Sequence, residues 1–140
     1  MKVDDFIFRA LMGALHDEGV LCALPVVRGA AGPLRFRRWR PGDELAAGAF
    51  GISEPPDSAK ELEPDVLLLP LLAVDNWGNR LGQGGGYFDA TLRTLRASPR
   101  PMVAVGLCFE ARRIATVPHD SGDEPLDWVV TERGAYRISG

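Results

Sequence analysis

Between positions 78 and 89 the chain reads Gly78-Asn79-Arg80-Leu81-Gly82-Gln83-Gly84-Gly85-Gly86-Tyr87-Phe88-Asp89, with five glycines inside nine residues. One guanidinium stands ahead of the glycine run, and one carboxylate stands behind two aromatics. Backbone N–H groups can converge on an anion where no Cβ intervenes, and a following helix N-terminus adds partial positive charge. Arg80 can grip a phosphate through its planar fork. Asp89 offers the hard oxygen donor that magnesium prefers when it shares phosphate oxygens. The chemistry implied is the holding of a nucleotide phosphate. Two familiar phosphate loops are excluded. No Gly-Lys-Ser/Thr follows these glycines, and Tyr87 stands where the dinucleotide fingerprint needs its last glycine.

The elements that must position this loop are legible around it. Val66 to Val74 is an apolar run that predicts a strand buried on both faces. Ala90 to Ala97 predicts a short helix with Leu92 and Leu95 turned inward. Ser98-Pro99-Arg100-Pro101 breaks that helix, and Met102 to Phe109 predicts a second apolar strand, so that the three form a right-handed βαβ unit. Upstream, Val3, Phe6, Ile7, Ala10, Leu11, Ala14 and Leu15 recur at helical spacing, closed by Glu18-Gly19. Val20 to Val27 follows as a strand completing the αβ half of a parallel unit. Leu34 to Glu44 suits a β-ribbon, and Ala46 to Pro64 reads as a long ordered loop. Arg112 to Val117 predicts a short edge strand and Trp128 to Thr131 a last short one. The expected architecture is α/β, a three-layer α/β/α arrangement with a mainly parallel sheet. Ligands then belong at the carboxyl ends of its strands, where Asp75 and the glycine run emerge.

Composition narrows the class. A chain of 140 residues is one domain's length, and 46% hydrophobic with 25% charged residues is ordinary for a soluble protein. A net charge of -3 argues against a general nucleic-acid binder. No apolar run reaches bilayer-spanning length, and the acidic start is unlike an export signal, so no membrane role and a cytoplasmic location are expected. Cys22 and Cys108 sit in apolar surroundings and read as core cysteines. Neither His16 nor His119 has a nucleophile partner nearby in sequence. Arg35-Phe36-Arg37-Arg38-Trp39-Arg40 reads as a solvated ribbon with one face packed, or as a contact for an anionic substrate tail. Tyr87 and Phe88 could stack on a heteroaromatic ring, with one of the pair expected in the core.

The glycine loop and its flanks resemble the signature of the 5-formyltetrahydrofolate cyclo-ligase family, the 5,10-methenyltetrahydrofolate synthetases. The match runs through Pro70, Asp75, Gly78, Arg80, Leu81, Gly82, Gly84, Gly86, Tyr87, Phe88 and Asp89. Weaker echoes keep the same order: Leu24-Pro25, Gly51-Ile52-Ser53-Glu54-Pro55, and Asp123-Glu124-Pro125-Leu126-Asp127 leading into Val129-Val130-Thr131-Glu132. The resemblance implies that Arg80, Leu81, Gly82, Gln83, Gly84, Gly85, Gly86, Tyr87 and Phe88 bind ATP and folate. It also makes Arg80 the catalytic cation and has Asp89 and Asp127 hold Mg2+. For Asp89 a helix-dipole partner is a compatible reading, and for Asp127 a solvated acidic loop stands beside it.

The implied reaction is ATP-dependent. The γ-phosphoryl group passes to the formyl oxygen of 5-formyltetrahydrofolate, the neighbouring amine closes the ring, and phosphate leaves to give 5,10-methenyltetrahydrofolate. Positioning and charge neutralisation carry most of such a reaction. In the family an N-terminal helix and a first strand precede the helix that here begins near Val3, and a substrate-contacting Glu falls where this chain has Lys2. The resemblance therefore implies an N-terminally shortened cyclo-ligase-like domain over 1–140, with a sheet edge that a second copy could cover as a homodimer. A non-catalytic nucleotide- or folate-binding relative is the alternative, and an unrelated sugar-phosphate or CoA-handling enzyme the third reading.

Overall fold

The computed structural model describes residues 3–27, 32–48, 53–81, 86–119 and 123–138, with the backbone alone over 3–7. The chain divides into two compact units, one drawn from 1–29 and 34–64, the other from 30–33 and 65–140. Gly82, Gln83, Gly84 and Gly85 lie outside the described residues, as do Lys2, Gly51 and Ile52.

In the first unit the expected helix is present as α1, Val3–Asp17. Its inward face differs from the expected stripe: Met12 is buried while Ala10 and Ala14 are exposed, and the side chains of Val3, Phe6 and Ile7 lie outside the description. Met12 packs with Cys22 and Trp39, flanked by Leu15, Leu24 and Leu45. Large side chains decide the face because burial scales with apolar area, and two alanines contribute little. Strand β1, Ala23–Val26, was expected in a parallel unit but pairs antiparallel with β2, Arg35–Arg38. Only residues 27–34 join the two, and a parallel crossover needs a dozen or more. The long loop expected over 46–64 instead carries strands. β3, Ala46–Ala47, pairs with β4, Ser53–Glu54, and β5, Glu61–Leu62, adds to β2. Because these are two-residue strands, no run of alternation marked them in the sequence.

The ribbon at 35–38 is covered on both faces, not one. Phe36 and Arg37 are neighbours pointing to opposite sides, yet 6% and 5% exposed. Arg37 tolerates burial because Nη1 donates to the Pro55 carbonyl at 2.9 Å and Nη2 lies 3.0 Å from Asp57.

The second unit carries the parallel pairing. The apolar run from Val66 splits into β6, Val66–Pro70, and β7, Ala73–Val74. The latter pairs antiparallel with β8, Arg80–Leu81. Helix α2, Tyr87–Ala97, leads to β9, Val103–Leu107. The edge strand expected over Arg112 to Val117 is reduced to a single bridge from Val74 to Arg113, just after a 3-10 turn at Glu110–Arg112. After β10, Trp128–Thr131, the chain doubles back through a further strand, β11, Gly134–Arg137. The sheet order is β11-β10-β9-β6, with β6, β9 and β10 parallel and β11 antiparallel at one edge.

Strand β6 is one-sided: Leu67 and Leu69 are buried, Leu68 is half-buried and Val66 is exposed. Leu92 and Leu95 of α2 are buried, as their spacing requires. Ala104, Val117, Leu126 and Val129 are buried in the same unit. Among the described residues no helix is long and apolar enough to cross a membrane.

Candidate functional site

The end of β6 delivers the chain to a small hairpin, β7–β8, whose turn spans residues 75–79. The Asp75 N–H donates to the Asn79 carbonyl at 3.0 Å, and Gly78 takes φ +83°. A Cβ at Gly78 would lie 2.9 Å from the Leu126 carbonyl oxygen, so the turn needs glycine for both conformation and clearance. Leu126 N–H donates to the Gly78 carbonyl at 3.1 Å, fastening the 123–127 segment to this turn. The residue that follows the turn is Arg80.

Arg80 is held firmly. Its side chain is 7% exposed, Nη2 contacts Asp89 Oδ1 at 2.8 Å, and Nη1 donates to the Glu124 carbonyl at 2.9 Å. The same Asp89 oxygen accepts the Glu124 backbone N–H at 3.0 Å. Asp89 stands in the first turn of α2, where the helix dipole favours a carboxylate, and it makes no capping bond there. Gly86 enters the helix in the left-handed region, φ +70°. The fold therefore brings Arg80 and Asp89 together as a guanidinium–carboxylate pair, with one N–H of each Nη engaged among the described residues.

Asp127 belongs to a neighbouring cation. Its Oδ2 accepts the Ala104 N–H at 2.8 Å and lies 3.3 Å from Arg96 Nη2. Arg96 in turn contacts Glu124 Oε2 at 3.2 Å and the Pro125 carbonyl at 2.6 Å. Asp89 and Asp127 thus share a network through Glu124 without sharing a partner. Among the described residues no group of three or more His, Cys, Asp or Glu could hold a metal. A cage made by protein alone does not fit this site. A magnesium ion completed by phosphate oxygens needs only one or two carboxylates, and Asp89 has the right chemistry for that.

Tyr87 and Phe88 are both half-buried, so neither enters the core as expected. They occupy the first turn of α2, ahead of the buried Thr91 and Leu92. The Leu81 side chain is 51% exposed, and its carbonyl accepts the Leu72 N–H. Cys22 is buried and Cys108 half-buried, and burial pushes both thiols up. His119 is exposed and His16 half-buried.

Arg96 and Glu124 carried no assigned role in the sequence. A basic residue in a helix's last turn reads as a dipole partner, and Glu124 serves Arg80 and Asp89 through its main chain, which no side-chain motif encodes.

The sequence placed Asp75 at the expected ligand edge and in the family motif without giving it a role, and its environment is unusual. It is 3% exposed, and its carboxylate accepts N–H groups from Trp77, Asn79 and Val117, each at 3.0 Å, and from the Asn79 side chain at 3.2 Å. Burial alone would push this carboxyl up, but the donors at Val117, Asn79 and Trp77 outweigh it and hold it below its ordinary value. Asp75 stands where two open depressions meet, of about 530 Å³ and about 640 Å³. The first is also lined by Trp77, Asn79, Thr116 and His119.

Comparison with known proteins bears on the family and the fold. The model of the 5-formyltetrahydrofolate cyclo-ligase family matches residues 4–132. A 5-formyltetrahydrofolate cyclo-ligase of Mycolicibacterium smegmatis is 40% identical over 119 residues, 79% of this chain and 61% of that protein. Its counterpart from Escherichia coli K12 is 36% identical over 127 residues, 86% of this chain and 68% of that protein. The solution structure of Aquifex aeolicus 5,10-methenyltetrahydrofolate synthetase superposes with a TM-score of 0.72 at 31% identity, covering 94% of this chain and 64% of that one. The Mycoplasma pneumoniae 5,10-methenyltetrahydrofolate synthetase shares the fold, with a TM-score of 0.58 at 21% identity. The chain spans 61% to 68% of the length of the two curated relatives named above. Matched by its family model through both compact units, the chain belongs to the 5-formyltetrahydrofolate cyclo-ligase family.

Proposed function

We propose that the protein converts 5-formyltetrahydrofolate to 5,10-methenyltetrahydrofolate with consumption of ATP, as a ligase of folate metabolism. The observation that carries this reading is the pinned Arg80–Asp89 pair, whose guanidinium stands in β8 ahead of the glycine run and whose carboxylate stands behind it in the first turn of α2. ATP phosphates would lie against the N–H groups of Gly82 to Gly86 and the Arg80 guanidinium, with folate beside Tyr87 and Phe88. Magnesium would be held by Asp89, with Asp127 as second carboxylate, and when bound it supplies charge neutralisation to the phosphate oxygens. The chain's own residues orient the two substrates and stabilise charge, and no protein nucleophile is required.

The same reading carries the finer expectations: a three-layer α/β/α domain over 1–140, a cytoplasmic location, a homodimer and acceptance of a polyglutamate tail. Incubation with 5-formyltetrahydrofolate, ATP and magnesium tests it, followed by absorbance of the methenyl product. Product formation is the expected result. Nucleotide uptake by calorimetry without product would instead mark a non-catalytic binding member, and binding of neither ligand would overturn the assignment.

A further inference from the structure

Asp75 is a buried carboxylate with no cation against it among the described residues. Its described partners are main-chain N–H groups and one side-chain amide, and they come from two separate segments. Trp77 and Asn79 belong to the turn that leads into Arg80. Val117, itself 0% exposed, belongs to the stretch that leads from β9 toward Glu124 and Asp127. The bridge between Val74 and Arg113, and the bond from Ile114 N–H to the Val74 carbonyl, run alongside.

The turn is also fastened to Leu126 through Gly78. Both halves of the Arg80–Glu124 contact therefore start from the frame that the Asp75 carboxylate organises. An ionised carboxylate accepts several N–H donors at once, whereas a carboxamide presents an NH2 group toward some of them. A buried acceptor array of this kind is costly to leave half-matched.

We infer that Asp75 is a positioning residue for the proposed reaction: its buried carboxylate locks the 75–79 turn to the Val117 segment, so that Arg80 is presented with its fork already aimed. This rests on the proposed function, and it extends that proposal to a residue whose described partners are all protein N–H donors. The lock requires acceptance at both segments, so its effect is transmitted only through Arg80 and its Glu124 partner.

The test is a cycle built from Asp75→Asn, Arg80→Ala and the double variant in the full chain, read by ATP affinity in calorimetry and by kcat and KM in the methenyl assay. Asp75→Asn is expected to lower kcat at least about 30-fold and ATP affinity at least about tenfold, with the KM for 5-formyltetrahydrofolate nearly unchanged. On the Arg80→Ala background the same substitution should lower ATP affinity by less than about threefold, because the group it positions is gone. A purely structural residue would weaken both backgrounds equally, and that outcome would overturn the inference, as would an Asp75→Asn variant of undiminished kcat.

Should Asp75→Asn fail to fold, Asn79→Ala removes one of the donors while leaving the main chain intact. It should reproduce the kcat loss at roughly a tenth of the size, again only when Arg80 is present, and equal losses in both backgrounds would sink the idea. A wild-type chain that makes no product and takes up no nucleotide would instead sink the functional reading itself.

Discussion

Two arginines in this molecule are buried in nearly the same way and are put to different uses. Arg37 and Arg80 have side chains 6% and 7% exposed, and each donates through Nη1 to a carbonyl at 2.9 Å and holds Nη2 in an ion pair with a carboxylate. The difference lies in the carboxylate. Asp57, the partner of Arg37, is 94% exposed in a turn, whereas Asp89 is 22% exposed in the first turn of a helix behind a glycine run. An ion pair with a solvated aspartate is screened and weak, so the Arg37 contacts that matter are its main-chain bond and the packing of its stem. Arg80 faces a carboxylate that is itself fixed by the Glu124 N–H. The first arrangement finishes a fold, and the second fixes a guanidinium and a carboxylate on either side of the glycine run, where the proposed function puts the nucleotide phosphates.

The strongest way to break this comparison is to remove each guanidinium in turn. Arg80→Ala should lower turnover by about 10³-fold or more, the scale of a lost transition-state cation in phosphoryl transfer. Arg37→Ala in the same assay should keep kcat within about threefold. If both lost activity alike, the division of roles would be wrong. Removing Asp89 is next in size. Asp89→Ala should cost at least about 10²-fold in kcat, the scale of losing one charge-stabilising group, and flatten the magnesium dependence. Equal rates and an unchanged magnesium curve would move the metal elsewhere.

Thermal or denaturant unfolding sharpens the other side. Arg37→Ala should cost about 1–3 kcal/mol, because the buried Pro55 carbonyl loses its donor. Asp57→Ala should cost less than about 0.5 kcal/mol, as exposed pairs do. A third guanidinium adds a pH test. Arg113 lies 4.0 Å from the Tyr136 ring centroid and contacts Glu110 Oε2 at 2.7 Å. Hydrogen bonds from Thr131, then Arg113 and Tyr136, hold the Glu110 carboxyl below its ordinary value. A depressed carboxyl contributes stability above its unfolded value, about 4.3, and loses it as pH falls through the lower folded value. Amide protection over 131–137 should therefore be flat from neutral pH down to about 5 and decline only below about 4. Loss of protection already at pH 6 would contradict this.

The local periods were strong enough to be read without a structure. Leu92 and Leu95 had to face inward because only that stripe of α2 is apolar. The pair of parallel strands around α2 followed from two short apolar runs separated by a helix-length crossover. The glycine spacing with Arg80 and Asp89 could be read as a phosphate-site expectation because each residue type answers a chemical need of such a site, and the structure brings that arginine and that aspartate together. What stayed hidden had no period. Strands of two residues, such as β3 and β5, carry no alternation. The pairing of β1 depended on which segment returned to it. Met12 took the core position because its area outweighed that of the alanines at the expected spacing.

Taken alone, the order of residues determined the family, the α2 face and the types of group that could grip an anion, since all three depend on side chains close in the chain. Only tertiary structure decided which groups meet. Arg80 and Asp89 are nine positions apart, yet the carbonyl and the N–H that complete their site come from Glu124, 44 and 35 positions away. The same holds for Asp75, whose meaning depends on the Val117 N–H, 42 positions on. Main-chain donors and acceptors are identical at almost every residue, so no sequence pattern marks the ones a fold will bring to a site.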